Sequence, residues 1–375
     1  MKFLASTLID NSPDPITGVQ KSATERLDQV VANAVFAEEY GFDAYGVGER
    51  HAQRFLSSSP PVILAAIAQA TGRIRLVTTV TVLSLLDPVR VAEDYATLDH
   101  LSHGRVDIII GKGNDPEQNA LFGYELEGQW ERNREKYELL RRLLREEEVT
   151  WSGAFRPPLH GATTRPRPFQ QPLPVWHGSA SSRDSTELAA RFGDPLFSAN
   201  GFHPLRKYAD LVDHYREQWV AYGHDPKDAV VGAGSGGLFV TRNSQEARSI
   251  YGPIYERFLR SPAAQHNRTP FTDLEDVIRN GPALIGSVAE VRDKIGRYHE
   301  ALGHEVLSLS LEDGGLTGTQ RRESLDLFFA EIAPELRRDY PSKIWKDAEP
   351  AAYPDPGAVR EVRPTNGVPG PAVIG

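Results

Sequence analysis

Short apolar runs rich in β-branched residues alternate along the chain with longer stretches whose apolar residues recur every three or four positions. The runs predict strands at Lys2–Leu8, Ala44–Gly48, Arg75–Val82, Val106–Gly111, Pro174–His177, Pro195–Ser198, Ala229–Val240 and Val306–Leu311. Between the first two, Leu27, Val30, Val31, Ala34 and Val35 fall on one helical face, and Gly41 follows as a terminator. Ser59-Pro60 and Asp87-Pro88 each put a capping side chain before a proline suited to the first helical position. Tyr137, Leu140, Leu143 and Leu144 make a second helical stripe, and helices are expected over Leu205–Tyr222, Ser244–Leu259, Val288–Leu302 and Arg321–Arg337. Strand–helix alternation means parallel neighbours, which need a long crossover, and eight such strands close a barrel. The predicted fold is α/β, a (β/α)8 TIM barrel with insertions.

Two stretches break the alternation. Residues 151–173 are rich in Pro, Arg and Gly and predict an irregular excursion. Residues 261–286 predict a long insertion after the seventh strand, of the kind that usually carries function in a compact domain. One domain over 1–338 is expected, followed by a Pro/Gly-rich tail, 339–375, that is disordered or wraps a partner subunit.

Charge narrows the function classes. Lys+Arg total 42 against Asp+Glu 51, a formal net charge of −9, and the basic residues do not cluster, which argues against a nucleic-acid partner. The absence of cysteine removes disulfides, thiolate metal sites and thiol nucleophiles, and fits a reducing, cytoplasmic setting. The amino-terminal residues lack the pattern of a secretion signal, and no apolar stretch approaches the roughly 18 residues of a membrane span.

In a parallel barrel the chemistry gathers at the C-terminal strand ends. The second strand ends in Glu49-Arg50-His51, three ionisable side chains that read equally as the start of an active site or as a rim salt bridge. The fourth ends in Gly111-Lys112-Gly113, where two glycines let backbone amides and an ammonium approach an anionic or flat polar group. The strand at Pro174–His177 leads into Gly178-Ser179-Ala180-Ser181-Ser182 and then a helix. That arrangement makes a phosphate cradle, or else an ordinary helix cap with Glu187 closing a box to Asp184. Gly232-Ala233-Gly234-Ser235-Gly236-Gly237 matches a dinucleotide-binding pattern literally. Leu238-Phe239-Val240 after it is β-like, so a bulge or close backbone approach is expected in place of a nucleotide loop. His100 and His103 lack a carboxylate at metal-ligand spacing, and no metal is expected.

Taken in order, these segments resemble the bacterial luciferase-like (flavin-dependent) monooxygenase family from Met1 to about Arg338. The most specific signature is Leu98–Arg105, supported by Asp87-Pro88-Val89-Arg90, Arg165–Pro174, Gly286–Val291 and Ala333-Pro334. The resemblance implies a barrel that binds reduced FMN and uses O2 to oxidise a small organic substrate, a separate flavin reductase as partner, and a homodimer. It also implies a non-prolyl cis peptide facing the flavin, at Thr79–Val80 here. Lys112 and Gly113 match a flavin-contacting strand end, Gly178–Ser182 the phosphate-binding stretch, and Arg134 a further basic position. His51 keeps one of two histidines seen in the luciferases, Arg50 replaces the other, and Gly111 stands where they carry a reactive cysteine. On this resemblance His51 would move the proton, Arg50 or Lys112 would stabilise the anionic ring, and 261–286 would be the lid. Two alternatives stay open: an F420-dependent oxidoreductase on the same barrel, and a flavin-binding protein without turnover.

Overall fold

Each predicted β-branched run forms a strand in the computed structural model, which describes residues 1–345 apart from 16, 114, 262, 263, 266, 267 and 312–314. The strands are β1 (Lys2–Thr7), β2 (Ala44–Val47), β3 (Arg75–Thr78), β4 (Thr81–Val82), β5 (Val106–Gly111), β6 (Val149–Trp151), β7 (Leu159–Ala162), β8 (Val175–Ser179), β9 (Leu196–Ser198), β10 (Val231–Ala233), β11 (Leu238–Thr241), β12 (Leu284–Ser287) and β13 (Val306–Ser310). One parallel sheet runs β3-β2-β1-β13-β10-β9-β8-β5-β4, and pairing of β3 with β5 closes it. β3 and β4 are two halves of one stave, interrupted at the Thr79–Val80 peptide, which is cis. The closed sheet is the expected eight-stranded TIM barrel.

Strand alternation sorts the core. Leu4, Val77, Ile109, Trp176, Phe197 and Val306 fill the barrel, while Phe3, Ala5, Leu76, Ile108 and Ile110 face the surrounding helices. The Ala23–Tyr40 helix starts on a Ser22–Glu25 capping box and stops at Gly41, whose φ of 95° suits a residue without a Cβ. Leu98–Arg105 is architectural. The Arg105 guanidinium donates to the carbonyls of Ala68, Thr71, Ile74 and Ser102 at 2.9–3.0 Å, and Asp99 accepts from the backbone and side-chain nitrogens of Gln170. Those bonds tie the third and fourth barrel strands to the excursion beyond.

The structure corrects three expectations. The single strand Ala229–Val240 is two. β10 ends at Ala233, Gly237 turns at φ 113°, and β11 leaves the barrel to pair in parallel with β12. A strand thus follows the glycine run where a nucleotide loop would need a helix. Residues 151–173 are not wholly irregular, because β6 and β7 form a short antiparallel ribbon. Residues 261–286 contain the Leu274–Asn280 helix and most of β12, packed with β11 around Phe239, Tyr251, Phe271, Val277 and Ile285. The outward edge of β11 is engaged: the Val240 amide donates to Ser324 Oγ at 2.8 Å.

The stretch expected to begin the tail crosses the base of the barrel. Ile344 and Trp345 pack on the interior cluster, and Trp345 Nε1 donates to Asp107 Oδ2 at 3.0 Å. Ser342 Oγ and the Lys343 amide donate to Glu305, and the Met1 amino group reaches the Tyr340 carbonyl. The remainder of the expected tail, 346–375, lies outside the described residues. No described helix is long and apolar enough to cross a membrane.

Candidate active site

Glycines at three strand ends shape the mouth. A Cβ on Gly111 would sit 2.5 Å from Val80 Cγ2, and one on Gly178 would sit 3.0 Å from Val80 Cγ1. A Cβ on Gly46 would sit 2.7 Å from Thr79 Cγ2, and one on Gly48 would strike the Thr79 carbonyl. These absent side chains are the room into which Thr79–Val80 projects. Val80 rests half-buried on the apolar filling of the barrel and forms a shelf at its upper end. Around it the lining turns polar: Ser308 Oγ donates to Ser6 Oγ at 3.0 Å, and Ser235 Oγ donates to the Ser308 carbonyl at 2.8 Å.

Beside the shelf stands the pair expected from the second strand. Glu49 is buried and bridges two groups: Oε1 lies 2.7 Å from His51 Nε2, and Oε2 accepts from the Val82 amide at 2.8 Å. The Glu49 amide donates to the Val80 carbonyl at 2.9 Å. A carboxylate only accepts, so Nε2 carries the hydrogen and Nδ1 is left with a lone pair. Arg50 points elsewhere. Its Nη1 lies 3.3 Å from Asp115 Oδ2, and the guanidinium stands 5.1 Å from the Phe55 ring centre. The Phe122 ring meets His51 edge-on at 4.7 Å. Asp115-Pro116 marks only a helix start in the sequence, and nothing local marks Phe122 at the end of that helix as a neighbour of His51.

At the end of β5, Lys112 is half-buried and its ammonium makes no ion pair with any described residue. Its carbonyl accepts from Ser84 Oγ at 2.6 Å and from Gln129 Nε2 at 2.8 Å. Gly113 turns at φ 74°, with Val82 Cγ1 2.7 Å from where a Cβ would be. Behind this turn the first half of the Gln129–Arg145 helix buries two further cations. Arg132 Nε and Lys136 Nζ both donate to the Ser84 carbonyl, at 3.0 and 2.9 Å. Burial, and then neighbouring Arg132, hold the Lys136 ammonium down to about 8. The sequence reading passed over this pair and singled out Arg134, which lies on the exposed side of the same helix with no hydrogen bond or ion pair to a described residue.

The cradle after β8 is formed by the Arg183–Phe192 helix. Ser182, not Asp184, is its cap, accepting from the Ser185 amide, while Glu187 accepts from the Tyr222 hydroxyl at 2.9 Å. The expected Asp184–Glu187 box is therefore absent; the capping geometry falls two residues earlier. Ser179 Oγ donates to the Ser182 carbonyl at 3.1 Å, and Ala180 and Ser181 are exposed at the turn. Ser179 pairs in register with Ser198 of β9. Ser198 Oγ and both side-chain atoms of the fully buried Asn200 have no partner. Unsatisfied polar atoms beside a free helix N-terminus are the environment a phosphate tail requires, and the shelf at Val80 offers a flat ring its support, so the residues present fit a flavin mononucleotide. Among the described residues no group of His, Asp and Glu is arranged to hold a metal ion.

The geometry agrees with what the chain resembles. A family model described as luciferase-like monooxygenase matches residues 1–305. The 4-hydroxyprotoasukamycin monooxygenase of Streptomyces nodosus subsp. asukaensis is 28% identical, with 81% of this chain and 85% of that protein covered. The oxygenase component of a flavin-dependent trigonelline monooxygenase from Acinetobacter baylyi is 24% identical over 84% and 91%. An F420-dependent glucose-6-phosphate dehydrogenase of Kineococcus radiotolerans is 31% identical over 52% and 59%. Among solved structures, monooxygenase RslO1 from Streptomyces bottropensis superposes with a TM-score of 0.77 at 27% identity, covering 89% of this chain and 99% of that one. The oxygenating constituent of 3,6-diketocamphane monooxygenase from Pseudomonas putida, in complex with FMN, gives 0.74 at 21% over 89% and 98%, a likeness of fold. Relatives thus include both flavin and F420 enzymes, and the chain itself belongs to the luciferase-like monooxygenases.

Proposed function

We propose that the protein is a flavin-dependent monooxygenase that takes reduced FMN from a separate reductase and uses dioxygen to oxidise a small organic molecule at the barrel mouth. The observation that carries this reading is the Glu49 carboxylate, which spans His51 Nε2 and the Val82 amide directly beside the Val80 shelf. When bound, the reduced flavin supplies the electrons for oxygen chemistry. The chain supplies the rest. Ser179, Ser182, the amides from Gly178 to Ser182 and the free end of the Arg183–Phe192 helix would hold the phosphate. Lys112, whose ammonium makes no ion pair with a described residue, would offer the bound flavin a positive charge. Arg50, already matched with Asp115, leaves that task to Lys112. Glu49 fixes the His51 tautomer, and His51 Nδ1 would accept and return a proton.

Titration of the protein with FMN, riboflavin and F420, followed by cofactor fluorescence, tests the reading. FMN is expected to bind at least tenfold more tightly than riboflavin, because only FMN fills the phosphate cradle. Binding of F420 in preference to FMN, or equal affinity for FMN and riboflavin, would overturn it. The relative named as F420-dependent makes the F420 arm necessary.

A further inference from the structure

Exposed apolar side chains gather where the mouth opens. Leu121 is 65% exposed, Leu8 38% and Phe122 37%, although each is a residue type that folding normally covers. Phe122 touches His51 edge-on at 4.7 Å. Leu8 lies over the second strand, its Cδ2 2.5 Å from the place of a Cβ on Gly48. Phe55 lies against the Arg50 guanidinium. The cation in the same wall is matched: Arg50 is paired with Asp115, while the Glu49 carboxylate accepts from His51 and the Val82 amide. Asp115 reaches Arg50 across 65 positions of sequence, from the N-cap of the Pro116–Leu121 helix whose C-cap is Phe122.

We propose that Asp115 is a specificity-determining residue. By cancelling the charge of Arg50 it makes the wall beside His51, built of Leu8, Phe55 and Phe122, a site for an uncharged apolar or aromatic substrate. The inference rests on reading the mouth as the active site. An unpaired Arg50 would attract carboxylates and sulfonates to that wall; the Asp115 carboxylate repels them and leaves apolar contact as the main attraction.

The test uses acetophenone and benzoate, two probes of like size that differ in charge, titrated calorimetrically into the protein with and without FMN. The wild type is expected to bind acetophenone at least tenfold more tightly than benzoate. Asp115→Asn should raise benzoate affinity at least tenfold and leave acetophenone within about threefold, while Phe122→Ala should weaken acetophenone at least fivefold. Asparagine suits the exchange because Asp115 also caps the Pro116–Leu121 helix by accepting from the Glu117 amide at 2.9 Å, a bond asparagine retains. Unchanged FMN affinity in Asp115→Asn shows that the site is intact. Equal binding of both probes by the wild type, or a benzoate affinity unmoved by Asp115→Asn, defeats the inference. If FMN does not bind but acetophenone is still preferred, the flavin reading falls and the specificity assignment stands.

Discussion

Glu49 makes two acceptor bonds from one buried carboxylate, and glutamine can keep only one of them. Glu49→Gln retains the shape but presents an NH2 either to the Val82 amide or to His51 Nε2, donor against donor. Turnover should fall roughly 10- to 100-fold while FMN affinity stays near the wild-type value, because the carboxylate acts through His51 and not on the cofactor. Stopped-flow oxidation of the reduced complex, together with an FMN titration, reads both quantities. An activity within twofold of wild type would show that His51 needs no orienting partner. Glu49, His51 and Lys112 stand out in the sequence because polar residues leaving an apolar strand are conspicuous. Asp115 and Phe122 do not, since their meaning lies in one contact with Arg50 and one with His51, made across the fold from the two ends of the short Pro116–Leu121 helix.

The Gln129–Arg145 helix joins two kinds of buried surface. Its second half buries Leu139, Leu140, Leu143 and Leu144, and its first half buries Gln129, Arg132, Asn133 and Lys136. The apolar half was readable as a stripe. The polar half was not, because charges at helical spacing ordinarily face solvent; here carbonyls at the ends of two barrel strands draw them inward. The ammonium of Lys136 is held near 8 by burial, so the folded state bears the cost of its charge at neutral pH. That cost fades as pH rises from about 8 toward the ordinary lysine value near 10.4. Lys136→Met is therefore expected to fold, since Arg132 still satisfies the Ser84 carbonyl, and to match or exceed the wild-type Tm at pH 7. Its advantage should shrink as pH climbs to 10.5, as thermal melts across that range would show. An advantage that grew with pH would reverse the sign of the argument.

Over the molecule as a whole, two histidines are buried without charge at opposite ends of the barrel. His177, near the mouth, donates from Nδ1 to the Gly178 carbonyl, leaves Nε2 unpartnered and is pushed down to about 4 by burial. His304, near the base, has no partner for either ring nitrogen and is pushed down to about 3 by the same cause. Both folded-state values lie below the ordinary 6.5. The unfolded chain therefore takes up protons first as pH falls, and stability is lost from about 6.5 down to about 4 for His177 and about 3 for His304. Once the fall is complete His177 accounts for roughly 3 kcal/mol of that loss and His304 for roughly 5. His304→Leu should remove its share, and urea denaturation at pH 7 and pH 5 should show a smaller drop for the variant than for the wild type. Equal drops would mean that His304 is already charged in the native state. The barrel itself was legible in full, since eight β-branched runs define it. What the sequence left hidden is how its margins close: the split of β10 from β11 at Gly237, and the crossing of Tyr340–Trp345 beneath the base.

The bond from the Val240 amide to Ser324 Oγ has a consequence outside catalysis. β11 and β12 form a two-stranded flank that no barrel neighbour continues, and such a flank is a template on which a second molecule can stack strand to strand. The serine hydroxyl occupies a donor that the template would offer. The Gly318–Leu327 helix that carries Ser324 lies along β11, so this flank is covered and a second molecule finds no bare strand there.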